Sequence, residues 1–452
     1  MTALEVAERA VEAAGGEALA QVLRERSLTL RFADNRPTQS TSIDDLTVEL
    51  AVLRDGHVGR SATDDTSRDG LARCARRASA AAEAASAGAP AGHYPGFAGL
   101  DPIREHEGHD PETARLDPAL GASALAAAFE AGARHGLGAH GIWTAGEEER
   151  AVASSAGAAS HERATDAYMK VICIAPGGRS GYASRASVAA ARLEPEELAG
   201  RAAAKAAVAG EPAALPAGEY PVVMEPHALG TMLDMLGVMA LNGLAHAEGR
   251  GALAGRLGEK VAAPTINLAD SPRFHRTLPR GFDAEGTAKG PVPLIQDGVA
   301  RAVVHDRRSA ALAGTHSTGH ALAPGGHPEG PHPVNLVLAG GGAAGLEELC
   351  APVERGIYLT RLWYANAVRP KETLITAVTR DGTFLIEDGR VTRPLEDLRL
   401  TDSVLGILSR TSALTSAQQL TSEGEFYGRR FAYGIVCPGI RANAVRFTGP
   451  AG

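Results

Sequence analysis

The chain has 452 residues, a formal net charge of −8 and 4% aromatic side chains. That length is enough for two or three domains with a sizeable core. Basic residues are scattered rather than clustered, which excludes an obvious nucleic-acid surface, and no apolar run approaches the ~20 residues needed to span a bilayer.

Residues 1–14 mix acidic and apolar positions without the basic start and apolar core of a signal peptide, so a cytoplasmic protein is expected. The stripe Leu4, Ala7, Val11 and Ala14 predicts a helix over 2–14. Residues 27–32 and 46–53 read as strands; Asp55-Gly56 suits a tight primed turn, and 57–62 returns as the next strand. An Ala/Arg-rich helix over 68–86 is followed by a long Gly-, Pro- and His-containing loop over 87–111 and a helix over 116–135. Strands are predicted over 138–144, 150–155, 166–174 and 181–188, and a helix over 195–208. Two prolines and two glycines in 210–218 mark the domain boundary. The first unit, 1–210, therefore reads as an α/β domain of antiparallel strands and flanking helices. The second, 218–452, opens with a strand over 220–224 and one long apolar helix over 227–246. Short strands broken by Gly, Pro and the Asp-Gly pairs at 297–298, 381–382 and 388–389 follow, which predicts a mostly β, mixed-sheet or barrel-like domain around one core helix. The fold class is α+β. Cys74, Cys173, Cys350 and Cys437 are widely spaced with no CxxC pair, which fits unpaired thiols in a reducing compartment.

Several residue patterns carry chemistry. His161-Glu162 is half of a zincin motif with no second histidine. His316 and His320 have the i, i+4 spacing of a metal pair, but Ser317-Thr318-Gly319 between them is poor helix material. The segment after them is a loop, and loops often carry binding residues. His316, His320 and His327, with Asn335 beyond them, are the candidate substrate-contacting residues. Solvated loop histidines and a metal site within His305–His332 are the other readings. Residues 340–345, Gly-Gly-Gly-Ala-Ala-Gly, match G-x-G-x-x-G, yet Arg361-Leu362-Trp363 stands where a dinucleotide site needs an acid. Gly178-Arg-Ser-Gly181 lacks the spacing of a nucleophile elbow.

The apolar helix, the following Gly255-Arg-Leu-Gly-Glu259, and then Phe282-Asp-Ala-Glu-Gly286, Leu294-Ile-Gln-Asp-Gly-Val299, Ser317-Thr-Gly-His320 and Leu385-Ile-Glu-Asp-Gly-Arg-Val-Thr-Arg-Pro394 keep one order over much of the second half. In that order the chain resembles the TldD/TldE (PmbA) metallopeptidases. Zinc-bearing members carry HExxxH on the helix; the matching window here is Asp234-Met-Leu-Gly-Val-Met239. Asp234, Met235 and Met239 thus stand at degenerate metal-site positions, and Tyr433 stands where the zinc-bearing type has a cysteine, with Cys437 close by. The resemblance implies the metal-free TldE type, with no catalytic residue and no metal or cofactor of its own. It implies a TldD-like partner that supplies zinc, and a small or unfolded peptide as substrate. The alternatives are an independent metal-dependent hydrolase using His305–His332, and a non-enzymatic, peptide-binding homodimer. Met232, Met235, Leu236 and Met239 are expected to form a buried helix stripe. Phe426-Tyr-Gly-Arg-Arg-Phe-Ala-Tyr433, the richest aromatic cluster, is expected near a subunit contact or the peptide cleft, with Tyr427 and Arg429 as its anchors.

Overall fold

The computed structural model describes residues 1–90, 92, 94–422 and 430–450. Phe426, Tyr427 and Arg429 lie outside the described residues. The first half comprises α1 (Ala3–Ala14), β1 (Ala18–Ala33), β2 (Arg36–Arg54), β3 (His57–Thr63), α2 (Arg68–Ser86), α3 (Pro118–Arg134), β4 (Gly138–Ser154), β5 (Ala159–Ile174), β6 (Ser180–Ser187) and α4 (Pro195–Ala206). Its strands form one antiparallel sheet in the order β3-β2-β1-β4-β5-β6. Helices α1 and α2 pack over β1–β4, and α3 and α4 over β4–β6, in two separate apolar clusters.

The strands of this sheet are longer than the sequence predicts. Alternation of apolar residues fades at Arg24-Glu-Arg26 and at Gly146-Glu-Glu-Glu-Arg150, yet β1 and β4 run straight through. The charges are tolerated because each meets its opposite. Arg24 pairs with Asp44 across the β1–β2 ladder at 3.1 Å, and buried Arg150 binds Glu148 and, at 3.3 Å, Glu162. The incomplete zincin pair His161-Glu162 is therefore structural: Glu162 also binds His106 at 3.0 Å, and His161 reaches Glu149 at 3.0 Å.

The second half comprises β7 (Gly218–Met224), α5 (Pro226–Met239), α6 (Gly243–Ala247), β8 (Leu268–Asp270), β9 (Val292–Gln296), β10 (Val299–Ala300), α7 (Arg307–Ala313), β11 (Leu336–Leu338), α8 (Leu346–Cys350), β12 (Arg355–Arg369), β13 (Leu374–Glu387), β14 (Arg390–Pro394), β15 (Leu398–Ser403), α9 (Val404–Ser409), β16 (Thr411–Thr421) and β17 (Ile435–Pro450). The sheet order is β10-β9-β8-β11-β17-β15-β13-β12-β7, and β7 also pairs with β17. Strands β7, β12, β13, β15 and β17 thereby close into a ring, the barrel-like element the turn-rich sequence predicts. The mixed character comes from the parallel pairs β12–β7 and β11–β17.

Two local expectations fail for identifiable reasons. The predicted single helix over 227–246 ends at Met239, and Asn242 starts α6 by accepting from the Leu244 and Ala245 amides at 2.9 and 3.0 Å. Asp381-Gly382 is not a chain-reversing turn but a bulge inside β13: Leu359 opposes Thr383 and Arg361 opposes Arg380. Both residues have positive φ (54° and 123°), and a Cβ at Gly382 would lie 2.5 Å from Thr360 Oγ1. The bulge aims Asp381 at Arg361 Nε (2.7 Å) and at the Ser180 hydroxyl (2.6 Å) of the first sheet.

The two sheets are fastened by Arg430. Its Nε and a terminal nitrogen donate to the two Asp166 oxygens at 2.8 and 2.6 Å, and its amide donates to Glu25 at 2.9 Å. Gly146 makes room, since a Cβ there would sit 2.5 Å from the guanidinium. Removing one partner of a buried pair leaves the other charge uncompensated. Arg430→Met is therefore expected to destabilise the chain by ~3–5 kcal/mol in urea unfolding. A loss below ~1 kcal/mol, the scale of an exposed pair, would mean that Arg430 is solvated.

Candidate functional site

Helix α5 starts at a buried carboxylate. Glu225, fully buried at its N-cap, binds Lys205 Nζ at 2.6 Å and Arg201 at 3.4 Å on α4, and accepts from Tyr358 and Thr360 on β12 at 2.7 and 3.3 Å. Burial pushes this carboxyl's pKa up, but the Lys205 and Arg201 charges more than offset that and hold it below its usual range. A carboxylate at a helix N-terminus also complements the helix dipole.

From that anchor the helix divides by its period. Leu229, Met232, Leu233, Leu236 and Met239 face the core, at most 2% exposed. His227, Gly230, Thr231, Asp234 and Met235 instead line a cavity of about 240 Å³, closed opposite by Trp363 and Tyr364 of β12 and by Tyr433. Of the four positions that the family resemblance reads as a degenerate metal site, Asp234, Met235 and Tyr433 line this cavity and Met239 does not. The expected buried methionine stripe is corrected at Met235, which is half-buried, packing partly against the core and partly lining the cavity. Cys437 lies in the core, its thiol 3.2 Å from the Pro226 carbonyl, with burial pushing its pKa up.

The polar groups of the cavity have specific partners, some of them behind its wall. His332 Nε2 lies 3.2 Å from Asp234 Oδ1, its ring edge-on to Tyr433. Gly237 permits this approach, because a Cβ there would stand 2.7 Å from His332 Cε1. His227 receives the Gln419 amide on Nε2 at 3.3 Å, faces Ser184 Oγ with Nδ1 at 3.5 Å, and packs edge-on against Tyr182. Burial drives its pKa down to about 3 against the pull of Glu225, so the imidazole is neutral. On the far wall, Tyr364 has φ +51° and is 73% exposed beside Trp363. A left-handed non-glycine residue costs ~1–3 kcal/mol and is held by its surroundings. Here Arg361 lies between the Trp363 and Tyr182 rings, 4.9 and 4.5 Å from their centroids.

The histidine-loop candidates do not converge. His316 is exposed and His327 half-buried, its Nδ1 accepting from the Glu329 amide at 3.3 Å. His320 is buried against Asp270 at 3.1 Å, with Lys289 3.5 Å from the same oxygen. Burial and the Lys289 charge lower its pKa. It borders a narrow cavity between the sheets that Arg150, Arg280 and Arg430 also line. Asn335 is buried and spends its amide on Thr277 Oγ1 and the Leu278 carbonyl, at 3.1 and 2.7 Å. The glycine run 340–345 is committed to backbone pairing: the Gly341 and Ala343 amides donate to Thr415 and Leu414 carbonyls at 2.9 and 3.1 Å.

Residues 217–449 match the PmbA/TldA metallopeptidase C-terminal domain, residues 20–82 its domain 1 and residues 112–209 its central domain. The chain belongs to the PmbA/TldD metallopeptidase family. It is 26% identical over 232 residues to a metalloprotease of Methanothermobacter thermautotrophicus, covering 50% of this chain and 49% of the relative. It is 24% identical over 209 residues to the metalloprotease TldD homolog of Haemophilus influenzae, covering 46% and 43%. The chain thus spans about half the length of the curated relatives it matches. Its fold is that of TldE from Thermococcus kodakarensis, with a TM-score of 0.86 at 21% identity over 98% of this chain and 100% of that one. A putative modulator of DNA gyrase from Thermotoga maritima has the same fold, with a TM-score of 0.82 at 21% identity over 98% and 99%.

Zinc does not fit the cavity's donors. Zinc chemistry of the HExxxH kind that the resemblance implies needs paired imidazoles and a general base on a rigid frame. The α5 face offers one carboxylate already facing His332, a thioether, which is a soft ligand, and the single His227 imidazole, whose two nitrogens face Gln419 and Ser184. Among the described residues no three His, Cys, Asp or Glu side chains converge as a metal group.

Two outcomes test this geometry. Met239→Ala is expected to cost ~2–5 kcal/mol and Met235→Ala about 1 kcal/mol or less, because only Met239 leaves a void in packed core. Equal losses in urea unfolding would put both on one face. His227 is neutral when folded, and its pKa near 3 lies below the ~6.5 of an unfolded histidine. Its contribution is complete above pH ~6.5 and is lost as the pH falls from there toward 3, because the unfolded chain takes up the proton first. His227→Gln is therefore expected to flatten the fall in stability between pH ~6.5 and ~4. Unchanged slopes would place the imidazole in solvent.

Proposed function

We propose that this chain is the metal-free, TldE-like subunit of a cytoplasmic TldD/TldE-type metallopeptidase acting on small or unfolded peptides. A TldD-like partner supplies the zinc and the general base; this chain encloses and positions the peptide. The observation that carries the reading is the donor set on α5: Asp234 and Met235 with Tyr433 opposite, in the family's fold. The cavity retains shape and aromatic walls suited to side chains while lacking the ligands for metal chemistry. Its own residues have binding roles. Neutral His227 and Gln419 provide a fixed hydrogen-bonding pair, Trp363 and Tyr364 provide apolar and aromatic faces, and the Asp234–His332 pair sets the polar end. His316, His320, His327 and Asn335 are dispersed through the fold, and the geometry of the α5 cavity favours it over them as the peptide-facing surface.

The experiment is co-expression with an HExxxH-bearing family member, followed by elemental analysis and peptide hydrolysis. The pair is expected to carry zinc in proportion to the partner and to cleave peptides; this chain alone is expected to hold less than a tenth of an equivalent. One tightly bound zinc per isolated chain, or peptidase activity by the isolated chain, would contradict the proposal.

A further inference from the structure

Beyond the α5 cavity lies a larger cleft of about 730 Å³ between the two halves of the chain. One wall is the outer strand of the first sheet, β6, continuing through residues 188–201 to the exposed face of α4. The other is β16, with the segment around Arg276 and the end of the 340–345 glycine run. Gln419 belongs to this second wall, and its amide contacts His227 of the α5 cavity at 3.3 Å. The two spaces adjoin at the start of α5, where Pro226 lines the cleft and His227 the cavity.

The charge of the cleft opposes that of the molecule. The chain carries −8 overall, yet among the described residues the cleft is lined by Arg185, Arg192, Arg201 and Arg276 against one acid, Glu194. Two of the arginines are already paired: Arg185 with Glu194 and with Glu197 at 3.0 Å, and Arg201 with Glu225 at 3.4 Å. The other two line opposite walls and have no carboxylate partner among the described residues. Arg192 is exposed and makes no ion pair; Arg276 is exposed and donates only to the Gln418 carbonyl at 3.1 Å. Guanidinium groups in a partly enclosed, polar cleft bind carboxylates by charge-assisted and often bidentate hydrogen bonds. Among the described residues no Phe, Tyr or Trp lines the cleft, and so none of them offers the stacking platform that bases require.

We propose that this cleft is a specificity site for acidic peptide segments, in which Arg192 and Arg276 take aspartate or glutamate side chains of the chain entering the α5 cavity. The assignment rests on the peptide-handling role proposed above, and it adds the charge class of the substrate. It makes binding salt-dependent, since the pairs are solvent-accessible.

The test uses the full chain and three fluorescein-labelled probes followed by anisotropy: a peptide of alternating Glu and Ser, its Lys and Ser counterpart, and a single-stranded oligonucleotide of equal negative charge. The Glu peptide is expected to bind best and to weaken with added salt. Arg192→Glu and Arg276→Glu are each expected to weaken it by at least about tenfold, through like-charge repulsion. Arg192→Lys is expected to keep most of the affinity. Thermal unfolding of each variant verifies the fold, which two exposed positions leave intact. Unchanged affinity in both charge reversals, equal binding of the Glu and Lys peptides, or tighter binding of the oligonucleotide would overturn the assignment. Zinc content and partner association, measured on the same variants, keep the two proposals apart. A pair that assembles with normal zinc but has lost its acidic preference locates the specificity here. Arginine-dependent binding of the Glu peptide by a chain that takes no partner leaves the cleft assigned and removes the subunit reading.

Discussion

The buried carboxylate of Glu225 is the constraint on which the arrangement depends. It is shared by α4 of the first half, through Lys205 and Arg201, and by β12 of the ring, through Tyr358 and Thr360. It also begins α5, so the rotation of that helix is set where the two halves meet. With that rotation fixed, Leu229, Met232, Leu233, Leu236 and Met239 fall into the core and Asp234 and Met235 fall on the cavity. A fully buried carboxylate is tolerated only because four groups satisfy it. Losing Lys205 or Arg201 would therefore disturb the cavity as well as the stability.

A second theme is the use of charge inside the sheet junction. Glu147, Glu148, Arg150, Glu162, Asp166 and Arg430 are buried, and each has an opposite partner. Such pairs add little net stability over apolar packing, but they penalise any register in which the partners separate. The long strands β1, β4 and β5 are held in one alignment against the second half in this way. The same network brings the segment that begins at Arg430 back onto the first sheet, and so places Phe431 and Tyr433 beside Arg280 and His332.

The sequence made the antiparallel first sheet, the turn-rich second half and the barrel-like character legible, because Asp-Gly pairs such as Asp55-Gly56 and Asp388-Gly389 adopt the positive φ their chemistry favours. The full length of β1 and β4 was hidden, since charged residues paired across strands carry no apolar alternation. The break between α5 and α6 was hidden as well: Ala240-Leu241 is as apolar as the helix before it, and only the cap by Asn242 marks the boundary. At the site, Asp234, Met235 and Tyr433 were identifiable through their place in a family pattern and do share one cavity. Met235 was assigned to the core because helical periodicity alone cannot separate a cavity face from a packed one. His227, Trp363 and Tyr364 were missed as cavity residues, because their roles depend on contacts between segments far apart in the chain; His332 was named within the histidine-rich region, but not as the partner of Asp234. In a chain with 2 Trp among 452 residues, the adjacent Trp363-Tyr364 pair was the one local signal that could have pointed to them.

The central claim is that the α5 cavity is a binding surface that has given up metal chemistry to another chain. Anomalous diffraction at the zinc edge, on crystals of this chain assembled with an HExxxH-bearing partner, tests it most directly. The account predicts one anomalous peak per partner chain, on that chain's own helix, and none beside α5 of this one. A peak within coordination distance of Asp234 and His332 would contradict it.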